Sequence, residues 1–236
     1  MKICVGSHII NLGLSHGITG PLAALTIALK EGIEIKGQYE SIKKILKNLK
    51  MFSFMDDKKN IYWLGRVRFE EYIGLEQSNN YKSRASWCYG APGIARVIYL
   101  AGETINDKDS TLIAIKSLEA ICKMDENEWK LESPTFCHGY SGLLAIIQAM
   151  YIDTNNNIFD NTRKKILDKI ISLYNKNALL GFYNIDVDEK NYLKKEYQLV
   201  KSNNIFLLSG SIGVILTLLS LIKPIKTNWM RHFLIR

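Results

Sequence analysis

Proline is scarce, at 4 of 236 residues, and no stretch is rich in it, which excludes polyproline and collagen-like architectures and long disordered tracts. Cysteine is scarce too. Cys4, Cys88, Cys122 and Cys137 are too few and too scattered for a disulfide scaffold. A secretory signal is missing, because Met1 to Gly20 carries Gly, His and Asn where an apolar core would have to stand. A reducing, cytoplasmic setting is therefore expected. Long basic blocks are absent: the net charge of +8 comes from dispersed lysines such as Lys43-Lys44, Lys58-Lys59 and Lys164-Lys165. With no reader module present, nucleic acid is not an expected partner, and the charge suits a membrane face or an acidic peptide instead. The longest uncharged run, Ser202 to Ile222, has the length of a membrane span. Its four serines, two asparagines and two glycines predict a buried helix with its entry loop.

What is present is a repeat. A Gly-x-x-Gly step followed by an apolar run occurs four times: Gly17-Ile18-Thr19-Gly20, Gly90-Ala91-Pro92-Gly93, Gly139-Tyr140-Ser141-Gly142 and Gly210-Ser211-Ile212-Gly213. The runs are Pro21 to Leu29, Ile94 to Ala101, Leu143 to Tyr151 and Val214 to Ile222. Helices apolar on nearly every side are expected to be enclosed on nearly every side. Between them lie amphipathic segments. Ile42, Ile45, Leu46 and Leu49 form one stripe within a helix from Gln38 to Met51, backed by lysines. Leu112, Ile115, Leu118 and Cys122 form a second within Asp109 to Lys123; Ile166, Leu167, Ile170, Ile171 and Tyr174 form a third. The order is inner apolar helix then outer amphipathic helix, and such units bury a core by stacking side by side. Ile61 to Leu64 reads as a short extended piece, Asn79-Asn80 as a turn, Asp153 to Asp160 as a polar loop, and Gly181 to Asp188 as a connector with some extended chain. The aromatics Tyr62, Trp63, Phe69, Tyr72 and Tyr81 either cover the site or pack the layer beneath it, and packing is expected for most of them. Trp229 and Phe233 are expected to anchor a terminal segment with His232 facing out.

The repeat gives the cysteines meaning. Cys88 and Cys137 each stand two residues before the first glycine of a unit, so stacking brings them together although they are 49 residues apart. His138 follows directly. Two thiolates and an imidazole are a zinc donor set with one position open, and such a site favours thiol activation. The alternative reading is two small buried hydrophobes and a satisfied core histidine. His16, just before Gly17, is the corresponding polar residue of the first unit: a fourth ligand, an acid/base group or a helix-entry hydrogen bonder. Arg84 and Tyr89 flank Cys88, where they can stabilise an oxyanion or give a proton, or serve structure alone.

These motifs resemble the lanthionine synthetase C family. Gly13 to Leu22 is similar to its His-Gly helix start, Ser86 to Gly93 to its Trp-Cys-Tyr-Gly-x-Pro-Gly motif, Ser133 to Leu143 to its Cys-His-Gly motif, and Leu207 to Leu219 to its last Gly-x-x-Gly repeat. The resemblance implies an all-α fold: a partial α/α toroid, a double ring of inner and outer helices with about four of seven repeats, residues 1–236 being the C-terminal portion. It implies Zn²⁺ on Cys88, Cys137 and His138, with His16, Arg84 and Tyr89 as catalytic candidates. The implied activity is addition of peptide cysteine thiols to dehydroalanine or dehydrobutyrine, forming thioether rings in lantibiotic biosynthesis. The implied partners are a dehydrated lanthipeptide precursor, a dehydratase and ABC transporter complex that would hold the chain at the membrane periphery, and a separately encoded N-terminal half. That half would carry the first three units and a catalytic aspartate for which nothing here substitutes. A non-catalytic zinc-binding scaffold for peptide recognition, or an inactive remnant, are the competing readings.

Overall fold

The structure is a computed structural model that describes residues 9–73, 75, 82–187, 198–222 and 229–236. The turn expected at Asn79-Asn80, and Tyr81 and Cys4, lie outside them.

Helices dominate. Helix α1 is Thr19–Lys30, α2 is Gln38–Met51, and α3 is a single turn, Phe69–Tyr72. Helices α4 (Ala91–Ile105) and α5 (Lys108–Cys122) form a hairpin, as do α6 (Tyr140–Thr154) and α7 (Asn157–Ser172); α8 is Ser211–Ile222. Inner helices pack in the order α1, α4, α6, α8, and α2, α5 and α7 lie against α1, α4 and α6 respectively. Helix α8 packs on α6, and no outer helix lies against it among the described residues.

The hairpins are tight for a local reason. Asn106 and Asn155 end α4 and α6 in the left-handed conformation that asparagine tolerates. The next residue of each, Asp107 or Asn156, starts the outer helix by accepting a hydrogen bond from Ser110 N or Ile158 N. The expected polar loop at Asp153 to Asp160 therefore shrinks to a two-residue turn. At the far ends of α2 and α5, Trp63 Nε1 donates to Leu49 O and Trp129 Nε1 to Ile121 O, so two buried indoles satisfy late helical carbonyls.

Helices α4 and α6 are enclosed nearly all round, as expected of them. Helices α1 and α8 are not: Pro21 and Ala24 are exposed, as are Ile212, Leu219 and Ile222. Among the described residues each of those two has an inner neighbour on one side only. The stripe of α2 is buried as expected, at Ile42, Leu46 and Leu49. On α5 the buried face is Ser110, Ala114, Ser117, Leu118 and Ile121, and Leu112 is exposed. Small residues let α5 approach α4 closely, rotating the helix away from the stripe its large side chains mark. Ile166 and Ile170 of α7 are buried, whereas Ile171 and Tyr174 are exposed.

Among the described residues, three two-stranded antiparallel sheets decorate the helices. Strand β1 (Ile9–Asn11) pairs with β4 (Arg66–Arg68), β2 (Ser53–Met55) with β3 (Ile61–Trp63), and β5 (Asn184–Val187) with β6 (Leu199–Ser202). The extended pieces expected near Ile61 and within Gly181 to Asp188 are thus β3 and β5. The terminal turn Trp229–Phe233 enters the core with His232 facing out. Trp87 Nε1 donates to Phe233 O (2.9 Å), and the buried Arg96 donates from Nε to Ile235 O (2.7 Å) while pairing with Asp153.

Candidate thiol site

The four helix entries share one backbone design. A Cβ on the second glycine of a unit would strike the carbonyl oxygen six residues earlier, at Leu14, Trp87, Phe136 or Leu207. The glycines are needed because each loop folds back across the start of its helix. One residue further on, Ser15, Cys88, Cys137 and Leu208 occupy equivalent places, and their main chains join in a ladder. Ser15 N donates to Cys88 O (3.2 Å), Cys88 N to Cys137 O (3.2 Å), and Cys137 N to Leu208 O (2.8 Å). The convergence expected from the repeat is therefore real for the two cysteines.

Both thiols line a cleft of about 470 Å³ with Arg66, Arg84, Tyr89, His138 and Asp186. The Cys137 thiol hydrogen-bonds to Cys88 sulfur, and this bond is the main cause that lowers the Cys88 pKa to about 7; burial opposes it, and Ser86 Oγ, 3.6 Å from the sulfur, assists. The same bond, with burial added, pushes Cys137 upward, so the pair keeps one proton when Cys88 ionises. Cys122, away from the cleft, is pushed up to about 12 by burial.

The zinc expected from the sequence finds no ligand set. Among the described residues no group of three or more His, Cys, Asp or Glu side chains is disposed to hold a metal ion. Cys88 and Cys137 turn their sulfurs to each other and make a set of two. His138 Nε2 is buried without a hydrogen bond, 3.5 Å from Asp186 Oδ2, and burial lowers its pKa, with Arg84 adding to the effect and Asp186 opposing it. Cys88, Cys137 and His138 therefore do not fit a zinc ion as a set.

Arg84 and Tyr89 stand where the sequence places them, in the wall of the cleft. His16 is exposed, with its ring centroid 5.9 Å from that of Tyr89, and is not among the cleft-lining residues. Sequence reasoning missed Arg66, Ser86 and Asp186. Arg66 arrives on β4, its guanidinium 5.1 Å from the Tyr89 ring centroid. Asp186 arrives on β5, which is held to the Cys137 loop by Ser133 Oγ accepting from Ile185 N and by a buried Ser133, Thr135 and Asn184 cluster. Both come from strands remote in sequence, and no local signal marks them. Ser86 was within reach, being two residues before Cys88.

A second hollow, of about 700 Å³, lies at the other end of the inner helices beside Lys30, Tyr99, Glu103 and Asp153. It is larger but holds no thiol.

The lanthionine synthetase C-like protein family model matches residues 7–234. Nisin biosynthesis protein NisC of Lactococcus lactis subsp. lactis is 28% identical over 179 residues, which are 73% of this chain and 41% of that protein. The solved structure of a nisin cyclase overlays with a TM-score of 0.74 at 23% identity, covering 96% of this chain and 50% of that one. At that identity the likeness speaks for the fold. The chain spans half or less of the length of both relatives.

Proposed function

The chain belongs to the lanthionine synthetase C-like family, and from that membership and its cleft we propose that it binds a cysteine-bearing lanthipeptide precursor at the Cys88–Cys137 thiol pair, as a subunit of a thioether-forming assembly with a dehydratase and transporter. In this reading the chain corresponds to four later units of the longer family ring. The carrying observation is that two thiols from different helix entries open into one cleft with Arg66 and Arg84 beside them. Near neutral pH the Cys88 thiolate accepts a hydrogen bond, or the proton itself, from a peptide thiol. Arg66 and Arg84 offer forked donors to peptide carbonyl or carboxylate oxygens. Tyr89 supplies an aromatic wall, and His16 stands at the rim as a candidate proton carrier. No step passes through a metal.

Binding of a fluorescent dehydrated precursor, followed by anisotropy, tests this. Replacing the peptide cysteines by alanine should weaken binding about tenfold, the scale of one charge-assisted hydrogen bond. Cys88→Ser in the protein should weaken it similarly. Equal affinity for the cysteine-free peptide would overturn the reading.

A further inference from the structure

The backbone ladder that joins the helix entries has two loose ends. It runs in one direction, each unit donating from its main-chain N–H to the next, from Ser15 through Cys88 and Cys137 to Leu208. Leu208 N–H is left as a donor and Ser15 C=O as an acceptor, neither with a hydrogen-bond partner among the described residues. The helices that follow these two residues are also the two whose apolar faces are open. On α8 and its entry loop, Phe206 is 68% exposed, Leu219 46% and Ile222 75%. On α1, Pro21 and Ala24 are exposed and Ile27 is half-buried.

We propose that a second copy of this chain docks head to tail, α1 of one copy on the open face of α8 of the other, with Leu208 N–H meeting the Ser15 carbonyl. Three observations fix the occupant. First, the contact repeats one already built three times inside the chain, between α1 and α4, α4 and α6, and α6 and α8, so the missing neighbour of α8 is another inner helix with a carbonyl at its entry. Second, the chain itself carries that element unused at its other end. Third, neither face costs charge desolvation: Ser211–Ile222 holds no charged residue, and α1 holds none before Lys30. Outer helix α2, by contrast, faces solvent with lysines and is no candidate. Two copies related by a twofold axis make two identical contacts and leave no loose end. They also supply about as much chain as one nisin cyclase, half of which this chain covers. The proposal stands apart from peptide binding, since it uses no residue of the cleft's side-chain chemistry.

Light scattering and sedimentation of the full chain, under reducing conditions, should give a dimer. Leu219→Arg on α8 and Ala24→Glu on α1 should each give folded monomers, with helical circular dichroism unchanged. Mixing the two variants should restore dimers, because one contact is then intact and the other sets the new arginine beside the new glutamate; a misfolded variant would not be rescued this way. A monomeric wild-type chain would overturn the proposal and leave a different polypeptide as the occupant. A dimer indifferent to both substitutions, or no recovery on mixing, would overturn it equally.

Discussion

The two middle units and the two end units share a backbone design yet differ in what surrounds it. The entries of α4 and α6 carry the cysteines and have inner neighbours on both sides; those of α1 and α8 carry Ser15 and Leu208 and, among the described residues, have one. Helix α8 carries no charged residue whereas α4 carries Arg96 and Glu103, yet α4 and α6 are buried while α1 and α8 keep open faces. Burial in a stacked array is thus a property of neighbours, and it also sets chemistry. Side chains of adjacent entries meet both in the middle, as Cys88 and Cys137 do in the cleft, and at the α1 edge, where the exposed His16 ring lies 5.9 Å from that of Tyr89.

Substitutions at matched positions break this comparison most sharply. Gly142→Ala places a methyl group against Phe136 O and Trp87 Cβ in the enclosed middle and should cost about 2–4 kcal/mol in urea unfolding. Gly20→Ala, whose added atom meets only Leu14 O at 2.8 Å, should cost clearly less. Equal losses would show that enclosure is not what separates the units. Of similar size, Ile146→Ala on α6, fully buried, should cost about 2–5 kcal/mol. Ile222→Ala, on the open face of α8, should cost under about 0.5 kcal/mol in protein dilute enough to be monomeric.

A smaller effect is a pH dependence confined to the middle units. Cys88 has a folded pKa of about 7 against an ordinary 9.0, so between those values the unfolded chain holds the proton that the folded chain has lost. Stability should rise from about pH 7 to 9, and the Cys88 contribution should be lost as pH falls through 7. Above 9 the sign reverses, because unfolded Cys137 ionises while the folded thiol, pushed upward, keeps its proton. The difference between wild-type and Cys88→Ser urea midpoints across this range reads it out; a flat difference would remove the shift. Smallest of all, Cys122→Ser should leave the reaction of the chain with an alkylating reagent at neutral pH unchanged, since burial holds that thiol protonated up to about 12. Mass mapping of the modified cysteine would check it.

Much of this was legible from residues. The lysine-backed stripe gave the bounds of α2, and the doubled glycines marked every inner helix. Equal offsets before Gly90 and Gly139 foretold that Cys88 and Cys137 would meet. The same logic overreached at His138. It sits one residue beyond the ladder position, in the place that His16 and Tyr89 hold in their own units, and its ring faces Asp186 instead of completing a metal set. Asp186 is delivered by β5 from nearly fifty residues away, through contacts to Ser133, and no periodicity announces such a strand. The face of α5 was misread because Ser110, Ala114 and Ser117 face the core while Leu112 does not: close helix approach selects small residues, and a search for large apolar ones misses it. The open ends of the array were invisible because apolar periodicity says which face wants a neighbour, without saying whether one is there.

The claim on which the site depends is that Cys88 and Cys137 share a single proton near neutral pH. Titrating the ultraviolet thiolate absorbance of the folded, reduced protein tests it directly. One thiolate should appear with a midpoint of about 7, vanish in Cys88→Ser, and move upward in Cys137→Ala as its hydrogen-bond donor is lost. A wild-type protein showing no thiolate until the ordinary 9.0, or a midpoint indifferent to Cys137→Ala, would contradict the thiol pair and the function built on it.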